Sequence, residues 1–482
     1  MLDYVFTKTP LSFFIQNLWR DEAFSYVLAG RPIWEIIQLT AGDFSPPLYY
    51  VLLHFWMNIF GSSEVMLRSF SLIFYVATLY VIYEIFVHVF NFPKLRSAMY
   101  LLLFILNPFL TFYAFEARMY MMVTFFITLS YYAFWTKNKK LYVISMSLAL
   151  FTQYFALFIL TAQAIEYIIT SKFWHKLKVS KLKHSLKSLK HHFPTIFKSS
   201  EFNIGAFLLP LLFFLPWMIY FLSVHDFSDK SFWVITPPVK DILYIPFVLY
   251  TGYERIFGEY YHNGPGYTSF HNNLLMLLTT ILILPIVYNL VTLKRHLAHR
   301  LDDFSGKYVS LLIWTFFTPV ILFILSFIVQ PFFHPRYFIF TSVGFLLLVV
   351  YSFEHFLSQP RSIFIKYITI GVFIFLLVMT HKFNTLNLKY RYKRNVANMS
   401  KEIKALMKPE DSIYVTSELD YHLYQYYLKI DDIKLYGKSY NEIPAYVGKV
   451  LIPPESLTDL FPIYPHKGFV IYYNSYTTRA LY

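Results

Sequence analysis

Five charged residues interrupt an otherwise apolar chain at places suited to chemistry. Asp21 and Glu22 follow an aromatic in NLWRDEAFS, Glu116 and Arg118 sit two apart in FEARMY, and Arg336 lies in FFHPRYFIF. A positioned carboxylate can take the proton of an attacking hydroxyl, and fixed cations can stabilise a departing phosphate. Two carboxylate groups and two arginines at one membrane face are the parts needed for sugar transfer from a polyprenyl phosphate. Each also has an ordinary alternative. Asp21 can cap a short amphipathic helix lying along a membrane, Glu116 and Arg118 can form an interfacial charge pair, and Arg336 can snorkel to lipid headgroups. Residues two apart do not face each other on a helix, so Glu116 and Arg118 share a site only if the chain turns there. Pro335 breaks any helix running into Arg336. Asp43, His54 and Tyr337 are further candidates in the same segments.

The frame that must position these residues is set by composition. Of 482 residues, 57% are hydrophobic and 21% aromatic, only 15% are charged, and the mean hydropathy is +0.46. The apolar residues gather into blocks of roughly 15 to 25, the length that crosses the hydrocarbon layer as helix. About ten spans are expected. They run Glu64 to Phe90, Ala98 to Phe115, Met119 to Trp135, Leu141 to Gln153, Phe155 to Thr170, Asn203 to Leu222, Asn273 to Leu293, Val309 to Val329, Tyr337 to Phe356 and Tyr367 to Thr380.

Basic residues decide the orientation. Lys and Arg outnumber Asp and Glu by 42 to 28. They fall between apolar blocks and not on a compact basic domain, which argues for an anionic lipid surface and against nucleic acid. Lys94 with Arg96, then Lys137, Lys139 and Lys140, the stretch Lys172 to Lys198, Lys294 with Arg295 and Arg300, and Arg361 with Lys366 occupy alternate connections, so that side is read as cytoplasmic. A short hairpin at Gln153 and Tyr154 keeps the alternation.

Three regions follow. Residues 1–63 form a first outer loop with membrane-lying helices, 64–380 the transmembrane domain, and 381–482 a small outer-face α/β domain. In the last, Val396, Met399, Ile403, Leu406 and Met407 carry a helical period, and IYVTS, KVLIPP and FVIYYNS read as strands.

Other chemistries are excluded. There is no cysteine, hence no disulfide, thiolate metal site or cysteine nucleophile. No phosphate loop, dinucleotide turn or HExxH helix occurs. Asp302 and Asp303 read as a solvated linker, and His175, His184, His191 and His192 as part of a membrane-facing basic surface. No cleavable signal peptide is visible.

Four stretches, LWRDEAFSYVLA, DFSPPLYYVLLHFWMNIFGSSEVMLRSFS, NPFLTFYAFEARMY and FHPRYFIF, in this order, resemble the GT-C membrane glycosyltransferases, in particular the bacterial protein-mannosyltransferase-like and aminoarabinose-transferase-like group. The resemblance covers most of the chain to about Thr380. It implies an α-helical polytopic enzyme of the bacterial inner membrane, working on the outer face with a polyprenyl-phosphate sugar donor and an acceptor of unspecified class. It implies that Asp21 matches the catalytic aspartate, with Glu22 its companion, and that Arg118 and Arg336 match positions near the donor phosphate. Glu116 matches an acidic residue that in some relatives helps hold a divalent metal, Mg or Mn. The family places a span before the first outer loop, whereas about twenty residues precede Asp21 here, interrupted by Lys8 and Pro10; a missing first span is expected. Relatives often carry a histidine where this chain has Gln153. A transporter or lipid flippase is the competing class, but such proteins place ionisable groups near the membrane midplane, often in repeated halves.

Overall fold

The computed structural model describes residues 8–170, 202–226, 232–252, 269–296, 303–359, 362–390, 393, 395–463, 465–473 and 478–481. The basic stretch Lys172 to Lys198 with its histidines, and Arg300, Asp302 and Arg361, lie outside the described residues.

The N-terminal part contributes α1 (Arg20–Ala29), α2 (Ile33–Gly42) and α3 (Leu48–Phe60). The helical array then runs α4 (Glu64–Glu84), α5 (Lys94–Ile105), α6 (Pro108–Ala114), α7 (Tyr120–Trp135), α8 (Lys139–Thr152), α9 (Ala156–Thr170), α10 (Gly205–Val224), α11 (Ile245–Thr251), α12 (Ser269–His296), α13 (Asp303–Ile328), α14 (Phe340–Ser358) and α15 (Ile363–Tyr390). Every apolar block read from the sequence forms helix. Among the described residues five helices are long and apolar enough to cross a membrane, and α5 with α6, bent by 73° at Asn107, makes a sixth as one broken span. The chain is a multi-pass membrane protein. Helices α7 and α9 and part of α12 are shorter apolar elements packed among these.

The core of the array is tight. Tyr131 of α7 stacks on Trp314 of α13 with ring centroids 3.9 Å apart and planes at 7°. A side chain at Gly344 of α14 would place its Cβ 2.7 Å from the Trp314 ring, so this crossing requires glycine. Polar groups inside the array are met internally, since hydrocarbon offers no water. Thr124, Thr315 and Ser326 return their hydroxyls to carbonyls one turn back.

Beyond the array come α16 (Val396–Leu406), β1 (Ser412–Val415), α17 (Glu418–Leu428), β2 (Ile433–Tyr436), β3 (Leu457–Thr458), β4 (Gly468–Ile471) and β5 (Thr478–Leu481). The sheet order is β3-β2-β1-β4-β5, parallel except for β5 against β4. Helix α16 carries the periodic face expected of it, with Val396, Met399 and Ile403 buried. Two of the three expected strands form, as β1 and β4. KVLIPP does not: it becomes 3-10 turns at Lys449–Leu451 and Pro454–Ser456, because Pro453 and Pro454 supply no amide donors to a ladder.

Helix α1, expected to lie along the membrane, is covered by the C-terminal part of the chain. Seven of its ten residues are buried, and α17 packs across it. Arg20 Nε bonds Asp420 Oδ1 at 2.8 Å, and Leu18 N–H donates to the Tyr427 hydroxyl at 2.7 Å. Exposed apolar side chains of this part include Trp34, Phe55, Ile59 and Phe60 of α2 and α3, with Ile15 and Phe44 outside those helices.

Candidate active site

Glu22 organises the site from behind. Its carboxylate, with no exposed surface, accepts from Arg68 Nε and Nη2 at 2.8 Å each, Lys393 Nζ at 2.7 Å, Trp19 N–H at 2.7 Å and Ala117 N–H at 3.0 Å. Burial alone would raise its pKa, but Arg68 and Lys393 outweigh that and hold it far below the usual carboxylate range. Arg68 in turn donates to the carbonyls of Phe14, Gln16 and Asn17, fixing the approach to α1. The bond to Ala117 ties the FEARMY turn to α1. That turn closes through Arg118 N–H to the Glu116 carbonyl at 2.8 Å, the reversal that the two-residue spacing demanded.

With the turn in place, Arg118 reaches across α1 and α3. Its Nη1 lies 3.1 Å from the Tyr50 hydroxyl, 3.4 Å from Ser25 Oγ and 3.4 Å from the Asp21 carbonyl. Arg336 arrives from the connection between α13 and α14. Ser326 Oγ shapes that connection by accepting from the amides of Phe332 and Phe333 at 2.9 and 2.8 Å. Arg336 Nη1 then bonds Asp21 Oδ2 at 2.7 Å, and its guanidinium lies 4.5 Å from the Trp233 ring centroid.

Asp21, Asp43, Arg118, Arg336 and Tyr337 line one cavity of about 430 Å³. The segment before α4, the FEARMY turn, the Gln153–Tyr154 hairpin and the Arg336 connection all open on it, so connections of one parity meet at one end of the array. The C-terminal layer forms another wall through Leu419, His422 and the turn Tyr446–Gly448. Gly448 has φ +80°, and a Cβ there would lie 2.4 Å from the Phe24 ring, which is how the turn comes so close to α1.

The two cavity carboxylates differ electrostatically. Enclosure would raise the pKa of Asp21, but Arg336 and Arg118 hold it below the ordinary value. Asp43 is buried with weaker compensation from Arg118 and the Phe44 amide, and its pKa is pushed up to about 6. Both arginines are held firmly cationic by the surrounding tyrosines and Asp21, against the opposing effect of burial. Yet the Nε of Arg118 and the Nε of Arg336, both buried, have no hydrogen-bond partner among the described residues.

Three expected residues stand apart. Glu22 does not line the cavity, and its acceptor capacity is taken up. Glu116 is buried beside Glu22 and Lys393, its pKa raised to about 7 by burial and by Glu22 and Asp21 against the pull of Lys393 and Arg336. Among the described residues no three His, Asp or Glu gather as metal ligands, and the carboxylates near Glu116 are already held, Glu22 by Arg68 and Lys393 and Asp21 by Arg336, so the residues present do not fit a divalent ion. His54 is remote from the cavity: its Nδ1 is 2.8 Å from the Ala29 carbonyl and its Nε2 3.0 Å from Asn58.

Sequence reasoning passed over Arg68, Lys393, Trp233 and His422. Arg68 had a signal, a lone arginine early in an apolar span, which ordinarily marks a paired functional charge. The other three had none.

No family model and no characterised protein matches the chain by sequence. Among solved structures, the chain is similar to ArnT from Cupriavidus metallidurans bound to undecaprenyl phosphate, with TM-score 0.56 and 11% identity over 96% of this chain and 91% of that one. The fold is GT-C-like. An Archaeoglobus fulgidus oligosaccharyltransferase tethered to an acceptor peptide aligns with TM-score 0.47 and 12% identity over 91% of this chain and 62% of that one. ArnT from Cupriavidus metallidurans in the apo state aligns with TM-score 0.44 and 11% identity, covering 95% and 91%.

Proposed function

We propose that the protein is a membrane glycosyltransferase that moves a sugar from a polyprenyl-phosphate carrier to an acceptor hydroxyl on the outer face of a bacterial inner membrane. The observation that carries this is the pair Arg118 and Arg336: two cations with unpartnered buried Nε atoms, lining a cavity that also holds Asp21 and Asp43. Arginine suits a phosphate because its planar donors match the oxygens. The outer-face assignment rests on the basic connections at the opposite end of the array.

In the reaction, the acceptor oxygen attacks the anomeric carbon while the bond from that carbon to the phosphate oxygen breaks, with inversion. The electron pair leaves with the polyprenyl phosphate, and a cavity carboxylate takes the acceptor proton. The leaving group is already an anion of modest basicity, so it needs charge stabilisation more than protonation. One preorganised donor in such a role lowers the barrier by about 3 kcal/mol. The acceptor supplies a hydroxyl, of a protein, a lipid or a polysaccharide. No step is assigned to a metal. A transporter reading gains nothing from a site gathered at one end of the helices.

The test is binding and turnover by the purified full chain. Radiolabelled undecaprenyl phosphate should bind saturably, and undecaprenyl-phosphate-linked hexoses or pentoses should release undecaprenyl phosphate when acceptor-bearing membrane extracts are added. If undecaprenyl phosphate does not bind, the proposal fails.

A further inference from the structure

Asp21 and Asp43 share one cavity but stand in opposite electrostatic settings. Asp21 is in the first turn of α1, where the helix's positive end favours the charged carboxylate, and its Oδ2 is committed to Arg336 at 2.7 Å. Arg118 and Arg20 add further positive charge beside it. Asp43 caps the other kind of terminus. Its amide donates to the Leu39 and Thr40 carbonyls at the end of α2, whose negative end disfavours a charged carboxylate. Among the described residues no Lys or Arg forms an ion pair with Asp43.

The surroundings of the two residues also divide the cavity. Arg336 with Trp233 marks the phosphate side. Asp43 lies toward the C-terminal layer, since a Cβ on its neighbour Gly42 would be 3.2 Å from Val450, just past the Tyr446–Gly448 turn.

We propose that Asp43, and not Asp21, takes the proton of the acceptor hydroxyl, which enters between α2 and the Tyr446–Gly448 turn, while Asp21 holds Arg336 in place for the leaving phosphate. This rests on the transferase reading above. The step balances: the acceptor O–H bond passes its proton to Asp43, the acceptor oxygen bonds the anomeric carbon, and the polyprenyl phosphate departs with the electrons of the broken C–O bond. A carboxylate paired with one arginine and flanked by two more is a poor proton acceptor. One of higher proton affinity, in the same cavity, is matched to the task. The groups facing Asp43 are Arg118 and the Phe44 amide, which lower its proton affinity, and Asp21, which raises it. Tyr50 and Tyr154 also sense its charge, and His225 packs on the end of α2.

The experiment uses the purified full chain, with undecaprenyl phosphate as the leaving-group probe and whichever undecaprenyl-phosphate-linked sugar the wild type consumes. Asp43→Asn should lower turnover by roughly 10²-fold or more, the usual worth of a general base, and bind undecaprenyl phosphate as the wild type does. Asp43→Glu should restore part of the rate. The wild-type rate should rise as pH passes through about 6 and level off above it, because the carboxylate form is the active one. That limb should vanish in Asp43→Asn and persist in Asp21→Asn, whose defect should be weakened undecaprenyl phosphate binding. The inference is overturned if Asp43→Asn keeps both rate and limb while Asp21→Asn loses turnover with binding intact. A wild type that binds undecaprenyl phosphate but turns over no such donor would bring down the transferase reading, and this inference with it.

Discussion

Glu22 and Arg68 form a two-pronged ion pair, both contacts 2.8 Å, with neither side chain exposed to solvent. Because Lys393 and the Ala117 amide share the same carboxylate, this pair joins α1, α4, the FEARMY turn and the entry to the C-terminal layer. Glu22→Gln would leave two buried cations under-compensated, at a cost of about 3 to 5 kcal/mol. We expect a lower thermal unfolding midpoint in detergent and a loss of Arg118 function that follows the loss of fold. A stable Glu22→Gln protein with normal undecaprenyl phosphate binding would contradict the account. The sign of its pH dependence also follows. A carboxyl whose folded pKa is depressed contributes stability above its unfolded value and loses it as pH falls toward the folded one. The pair is therefore insensitive to pH through the neutral range and weakens only in acid.

Arg336→Lys should behave as a damaging change although charge is kept. Lysine lacks the planar set of donors that contacts Asp21 and Trp233 together and still presents Nε. Undecaprenyl phosphate affinity measured with the radiolabelled lipid should fall about tenfold or more, in the range expected for one lost charge-assisted hydrogen bond. Trp233→Ala removes the cation–π contact, worth about 0.5 to 2 kcal/mol, along with ring packing on Phe232 and His334, and should weaken binding less in the same lipid-binding assay. The reverse ranking would show that Trp233, and not the guanidinium, anchors the ligand.

Gly448→Ala tests the contact between the C-terminal layer and α1. The backbone there has φ +80°, and the added methyl would fall 2.4 Å from the Phe24 ring. Strain and overpacking together predict a loss of about 1 to 3 kcal/mol. They also predict earlier proteolysis of the C-terminal layer, followed by mass spectrometry. A variant as protease-resistant as the wild type would show that the layer is held mainly elsewhere, for instance by Arg20 and Asp420.

Chelation separates arginine from metal stabilisation of the leaving group. Since the described residues offer no group of three His, Asp or Glu as metal ligands, EDTA should leave turnover unchanged within about twofold, less than 0.5 kcal/mol in the barrier. Loss of activity that magnesium or manganese restores would return Glu116 to the metal-holding role that the sequence resemblance implies.

The helices were legible in the chain because membrane insertion acts on a local quantity, the length of an apolar run, and each such block formed helix. The reversal at Glu116 and Arg118 was legible for a similar reason, as two charges with a spacing no helix could bring together. Reading failed where long-range contacts outweighed local pattern. Helix α1 has the look of a surface segment, yet α17, some 400 residues later, covers it through Asp420 on Arg20. KVLIPP has strand-like residues, yet its prolines and the approach of Gly448 to Phe24 made it a turn.

The division of labour among the acidic residues was legible least. Asp21 and Glu22 are adjacent and chemically alike, and nothing local separates them. Their partners do: Arg336 lies 315 positions from Asp21, and Arg68 and Lys393 lie 46 and 371 positions from Glu22. Hydrophobicity, additive along a run, put the membrane helices and the charged candidates in plain view. Charge is read only against the charges around it, so which carboxylate is locked in a pair, which is buried as a staple and which keeps its affinity for a proton was decided when the chain closed on itself.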